Sequence, residues 1–226
     1  MKGREAVFAN IRKSLRVSLD DRLRREQVAA RLQQHPRNLI PSRGQKPDAA
    51  RLELFTQMLE MAKASFTILH RREDIPAEVA AYLRSRNLPH AIRHGEDARL
   101  ALIPWAKEAA LEITKGASDG AQLASVSYAF GGVAETGTLV MLSGADNPTT
   151  LNFLPDHHLV VIDERDIAGD YESVWDRIRE CFGELKMPRV VNWITGPSRS
   201  GDIEQTHLLG AHGPRSLHVL IVRSSG

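Results

Sequence analysis

Cysteine is nearly missing from this chain: 226 residues contain one, Cys181. A single thiol closes no internal disulfide, and an iron–sulfur cluster takes about four thiolates, so the chain cannot hold one alone. Any redox role must be lent by a partner or a dissociable cofactor. Long apolar runs are also missing. Nothing approaches the roughly 20 residues of a membrane span, and the charged stretch Met1 to Arg16 lacks a signal-peptide core. The expectation is a soluble, cytoplasmic protein with no membrane span.

The short motifs of common cofactor sites are absent as well. Gly131-Gly132 lacks the G-x-G-x-x-G spacing of a dinucleotide fingerprint, and no G-x-x-x-x-G-K-[ST] phosphate loop occurs. His157, His158, His207 and His212 form no H-x-x-x-H pair on one helix face, and there is no C-x-x-C, which argues against a zinc site. Ser198 is not in a G-x-S-x-G elbow, so a hydrolase triad has no support. No metal and no resident cofactor are expected.

What is present suits a globular domain. At 42% hydrophobic content the chain can bury a sizeable core as one large domain with an N-terminal extension. Net charge is only +2, but residues 1 to 46 carry twelve Lys or Arg against four Asp or Glu. The other 180 residues carry 18 against 24, so the basic excess lies in the N-terminal arm.

In that arm Val7, Phe8, Ile11 and Leu15 recur at helical spacing. A second helical stretch, Arg22 to Gln34, stops at His35-Pro36, and Asn38 to Asp48, with Pro41, Gly44 and Pro47, reads as a linker. The division expected is an arm and linker at 1–47 and a compact domain at 48–226. The arm's arginines interleave with an apolar helix face, not with aromatics that would stack bases. That pattern predicts a docking helix, on the domain or on a second copy in a homo-oligomer, and disfavours nucleic acid.

In the domain, Leu52, Phe55, Leu59 and Ala62 mark a buried helix face. Strands are expected at Phe66–Leu69, Leu88–His94, Leu123–Tyr128, Thr138–Leu142, Leu159–Asp163, Val190–Thr195 and Leu217–Val222. Helices are expected from Pro76 to Arg86, from Asp170 through Val174, Ile178, Cys181 and Phe182 to Gly183, and from Asp202 to Leu209. Residues 97–113 read two ways, since Leu100-Ala-Leu-Ile103 is short enough for a strand while Trp105 to Ile113 reads as helix. Strands alternating with helices argue an α/β domain with a largely parallel, covered sheet.

Three turns close predicted strands, where open α/β sheets bind ligands. In Ala134-Glu-Thr-Gly-Thr138, Gly137 permits close backbone approach, while Glu135, Thr136 and Thr138 supply a carboxylate and two hydroxyls. Glu135 would act as general base or nucleophile; the same residues would serve equally as a plain turn. In Thr195-Gly-Pro-Ser-Arg-Ser-Gly-Asp-Ile-Glu204, strand, turn and helix start are expected to hold an anion on Gly196, Ser198 and Arg199, with Asp202 and Glu204 orienting them. Ser198 or Asp202 capping the helix, with Arg199 in water, explains the pattern too. In Gly210-Ala-His-Gly-Pro214, His212 beside Gly213 is a candidate acid or base, or an idle surface histidine.

These segments, with Leu154-Pro-Asp-His-His-Leu-Val160, resemble in order the LUD-domain family, most closely its lactate-utilisation protein C group. Where that family usually reads Ser-Arg-Thr-Ala-Asp-Ile-Glu, this chain has Ser198-Arg-Ser-Gly-Asp-Ile-Glu204. The resemblance implies a fold similar to sugar-phosphate isomerases and CoA transferases (the NagB/RpiA/CoA transferase-like fold). It also implies a role in oxidising L-lactate to pyruvate beside two iron–sulfur partner proteins, a division that a lone cysteine fits. The leading expectation is a non-redox subunit binding a small carboxylate or phosphorylated ligand. The alternative is a stand-alone isomerase or acyl-CoA transferase using Glu135.

Overall fold

The computed structural model describes residues 3–18, 20–183, 186–201 and 207–223. The chain separates into two units, Met1–Leu39 and Ile40–Gly226. The first contains helices α1 (Gly3–Leu15) and α2 (Arg22–Gln34). The Asp21 carboxylate caps α2 by accepting from the Arg24 amide, and His35 ends it in the left-handed conformation. Val7, Phe8, Ile11 and Leu15 are all exposed.

The second unit opens with a 3-10 turn at Ser42–Gly44 and helix α3 (Asp48–Met61). Strand β1 (Ser65–Leu69), helix α4 (Ile75–Ser85), strand β2 (Ala91–His94), the single turn α5 (Ala98–Ala101) and strands β3 (Glu112–Lys115) and β4 (Ala124–Tyr128) follow. Then come β5 (Gly131–Val133), β6 (Thr138–Leu142), β7 (His157–Asp163), β8 (Ile167–Ala168), α6 (Tyr171–Phe182), β9 (Val191–Ile194), β10 (Arg199–Gly201), β11 (His207–Leu209) and β12 (Ser216–Val222).

Six strands make the main sheet in the order β1-β12-β7-β4-β2-β3, every neighbouring pair parallel. The expected α/β architecture with a largely parallel, helix-covered sheet is what the chain adopts. On β7, Leu159 and Val161 join a core with Val79 and Leu83 of α4, while Val160 and Ile162 join one with Phe55 and Leu59 of α3. Successive residues point to opposite faces, so a strand covered on both sides must be apolar throughout. Each such side chain contributes roughly 1.5–3 kcal/mol when fully buried.

A second sheet, β8-β5-β6-β9, lies on the α3 side. Its strand β6 sends Leu139 and Met141 into the α3 core and Val140 towards Val174 and Ile178 of α6. Strands 138–142 and 191–194 therefore pair antiparallel with each other, outside the parallel sheet. The helix expected at α6 forms, with Asp170 as N-cap and Gly183 at its end. Its last turn departs from expectation: Cys181 and Phe182 are exposed. Twelve residues of helix run about 18 Å, whereas the three-residue β5 beneath covers about 10 Å.

Of two further expected helices, the one at Trp105–Ile113 does not form, and residues 202–206 of the one at Asp202–Leu209 lie outside the described residues. Trp105–Lys107 is a brief 3-10 turn, and Glu112–Lys115 is drawn into β3 by pairing with β2. His207–Leu209 is strand β11, hydrogen-bonded antiparallel to β10.

Candidate functional site

The Glu135 turn links β5 to β6. Gly137 has φ +65°, and a side chain there would sit 2.7 Å from the Leu59 nitrogen and the Met58 carbonyl carbon. This glycine therefore admits the backbone of α3. The Thr136 and Thr138 hydroxyls lie 2.7 Å apart, and both meet the Tyr171 hydroxyl, at 3.0 and 2.9 Å. Thr138 also reaches the Thr195 hydroxyl at 2.7 Å, which ties the first motif to the second. A hydroxyl donates once and accepts twice, so four of them can satisfy one another.

Glu135 itself is 3% exposed. Its amide donates to the Gly169 carbonyl, and its Oε2 has no hydrogen-bond partner. The nearest cation to that oxygen is Arg43, whose Nε stands 3.6 Å away on the 3-10 turn before α3. Gly44 packs directly against Gly169, and Gln45 donates to the Asp170 carboxylate at 2.8 Å. The segment read as linker therefore borders this carboxylate.

Ser198 joins the second motif to the third. Its amide donates to the Pro214 carbonyl, its carbonyl accepts from Gly210, and its Oγ accepts from the His212 amide at 3.3 Å. A side chain at Gly213 would lie 3.4 Å from the Ser198 Cβ. Gly196, with φ +76°, packs on the Ala62 carbonyl at the end of α3, and Arg199 donates to the same carbonyl at 2.6 Å. Arg199 lies on β10, so it does not stand at a helix start, and Asp202 and Glu204 fall outside the described residues. The three motifs are thus strung together by backbone and hydroxyl groups. Their chemically distinctive side chains reach different neighbours: Glu135 meets Arg43, Arg199 meets Ala62, and His212 is exposed.

Sequence reading overlooked a second place, at the carboxyl ends of the main strands. There β1, β12 and β7 deliver His70, Arg71, Arg72, Asp163, Arg165 and Arg223 to a cavity of about 400 Å³. Arg72 donates to Asp163 at 2.7 Å, and this bond raises its pKa further above the ordinary value. The neighbouring strand ends in Tyr128, whose ring lies 5.9 Å from the Arg72 guanidinium and 4.0 Å from that of Arg99. Burial, and after it the charge of Asp163, raises the Tyr128 phenol pKa. A signal existed in the sequence: each apolar run runs straight into charge, as Leu69-His-Arg-Arg72, Asp163-Glu-Arg165 and Val222-Arg223.

The sequence model of the LUD domain matches residues 52–222. The chain belongs to the LUD domain family. This LUD-domain chain is 34% identical to an uncharacterized protein of Neisseria meningitidis over 145 residues, 62% of this chain and 61% of that protein. It is 31% identical to lactate utilization protein C of Bacillus subtilis over 105 residues, 45% of this chain and 44% of that protein. It is 29% identical to the protein of the same name from Shouchella clausii over 111 residues, 48% of each. The matched segment spans less than two thirds of each of these relatives.

A crystal structure of a DUF162 family protein from Deinococcus radiodurans superposes with a TM-score of 0.58 at 21% identity, covering 78% of this chain and 99% of that one. That likeness concerns the fold. Among the described residues no helix is long and apolar enough to cross a membrane, and no three His, Cys, Asp or Glu side chains gather as a metal site would need.

Proposed function

We propose that this LUD-domain protein acts in lactate utilisation as a non-redox component. In this reading it holds a small carboxylate or phosphate at the carboxyl ends of β1, β12 and β7. The observation that carries the ligand is the cavity lined by His70, Arg71, Arg72, Arg165 and Arg223. Guanidinium groups match carboxylate and phosphate oxygens in pairs, and the crevice beyond parallel strand ends is where such sheets bind ligands. The pathway is supported by the relatives named lactate utilization protein C. Oxidising L-lactate to pyruvate releases two electrons and two protons, and a chain with one cysteine leaves the electrons to iron–sulfur partners.

Thermal unfolding in the presence of L-lactate, pyruvate and inorganic phosphate tests the ligand. A ligand at a hundred times its Kd stabilises the fold by about 2.7 kcal/mol. The expected result is a rise in melting temperature that Arg223→Ala diminishes. No rise with any of the three overturns the site. For the pathway, loss of growth on L-lactate when the chain is deleted is expected, and unchanged growth would refute it.

A second reading rests on the buried Glu135 Oε2, which lacks a hydrogen-bond donor. An unsatisfied buried carboxylate is costly, and one way a protein retains it is as a base or nucleophile. Under this reading Thr136, Gly137, Thr138, Gly196, Ser198, Arg199 and Gly213 surround the ligand of a stand-alone isomerase or acyl-CoA transferase. Turnover by the isolated chain, abolished in Glu135→Gln, is its expected signature; absence of turnover with both substrate classes removes it.

A further inference from the structure

The arginine-lined cavity shares a wall residue, Arg165, with another hollow. This second cavity, of about 540 Å³, is lined by Lys46, Arg51, Arg165 and Arg177 together with Gly169 and Asp170. Taken together, the two walls carry seven Lys or Arg side chains against the carboxylates of Glu73, Asp163 and Asp170. This is not the background of the molecule, because beyond residue 46 acidic residues outnumber basic ones, 24 to 18. Six of those 18 cations line these two hollows.

Some of the cations are committed to the fold. Arg72 is held by Asp163 at 2.7 Å and Arg177 by Asp166 at 2.9 Å. Others are available. The Arg223 guanidinium and the Lys46 ammonium have no ion pair among the described residues, and Arg165 stands 3.9 Å from Asp163 with most of its side chain exposed. Among the described residues, Arg71 and Arg51 have ion pairs with near neighbours on their own turns, Asp74 and the exposed Asp48. Available charge therefore falls at two stations, Arg71 with Arg223 and Arg51 with Lys46, and Arg165 stands between them.

Two anion stations with a shared arginine between them offer more than one small anion at the strand ends would fill. We infer that the groove takes an elongated ligand with two separated anionic groups, of the bisphosphate class, one end at Arg71 and Arg223 and the other at Arg51 and Lys46. This rests on the strand-end cavity being a ligand site and names the class of ligand it takes. The second anion binds at the effective concentration set by its tether to the first, so a two-ended ligand gains affinity that neither end has alone.

The test uses the whole chain and a matched pair of probes, fructose 1,6-bisphosphate and fructose 6-phosphate, titrated calorimetrically at low ionic strength. The bisphosphate is expected to bind at least tenfold more tightly. In the double variant Lys46→Ala, Arg51→Ala the advantage is expected to vanish while the monophosphate binds unchanged. Arg223→Ala is expected to weaken both probes, with thermal unfolding confirming that each variant is folded. Equal affinity for the two probes in the native chain overturns the two-ended groove and leaves the strand-end site standing. Binding of neither probe also overturns the two-ended groove, while the strand-end site is judged separately by the thermal unfolding with L-lactate, pyruvate and phosphate.

Discussion

Arg72 and Asp163 join two strands that do not touch. Arg72 follows β1 and Asp163 ends β7, β12 lies between them, and the guanidinium spans that strand to reach the carboxylate at 2.7 Å. The pair fixes the mouth of the strand-end crevice and keeps a carboxylate in a largely cationic wall. Asp163 is nearly buried while Arg72 keeps about a third of its side chain in water. Removing the acid strands the arginine only partly. Asp163→Ala is expected to lower unfolding free energy by about 2 kcal/mol, the range for a hydrogen bond to a charged group. Urea unfolding reads this as a lower midpoint at constant slope.

Stability should fall on the acid side of neutrality. His158 is completely buried, with its Nε2 3.1 Å from the Ser127 hydroxyl, and burial pushes its pKa down to about 3. His218, bonded through Nδ1 to Ser65 at 2.8 Å, is pushed down to about 4 by burial and by the charge of Arg86. Once unfolded, both titrate near 6.5. Between pH 6.5 and 4 the unfolded chain therefore binds more protons than the folded one. The stabilisation is complete above pH 6.5 and is lost on acidification, at roughly 1.4 kcal/mol per pH unit for each histidine. Unfolding curves at pH 7.5, 6 and 5 should show the decline, and His158→Gln should reduce its slope by one proton.

Gly196 tests the packing of the second motif on α3. Its φ of +76° disfavours any side chain, and a methyl group would collide with the Ala62 carbonyl oxygen. Gly196→Ala is expected to cost about 3 kcal/mol, more than a positive φ alone, because the colliding atom is backbone. Circular dichroism during heating would register it; a melting temperature within 2 °C of the native value, on the order of a few tenths of a kcal/mol, would contradict the geometry.

Arg199 separates a structural role from a ligand role. Its guanidinium donates to the carbonyl that closes α3, where a cation is also favoured by the helix dipole. Arg199→Ala is therefore expected to lose about 1 kcal/mol of stability. Arg199→Lys should lose less, since it keeps the charge. If both variants melt like the native chain but bind anions more weakly, Arg199 serves the ligand.

Much of the fold was legible from periodicity. The mainly apolar runs at 66–69, 123–128, 159–163 and 217–222 became parallel strands, and the run at 159–162 is apolar throughout because β7 is covered on both faces. Phe55, Leu59, Val174 and Ile178 became core because helical spacing puts them on one stripe. Helical spacing misled at residues 112–113 and 207–209, because pairing with β2 and with the nearby β10 overrode local propensity. The candidate site was legible only as motifs. Gly137 and Gly196 signalled close approach correctly, but what approaches is the end of α3.

By itself the sequence determined the fold class, the family and the lack of the four thiolates that an iron–sulfur cluster would need from this chain, since each depends on residue type and spacing along the chain. Tertiary structure alone decided that four arginines and a histidine from three strand ends, residues 70–72, 165 and 223, share one cavity. Such clustering is set by the order β1-β12-β7, which places strands separated by about 150 residues side by side. No local pattern encodes that order, because crossover connections are governed by packing of whole helices on the sheet.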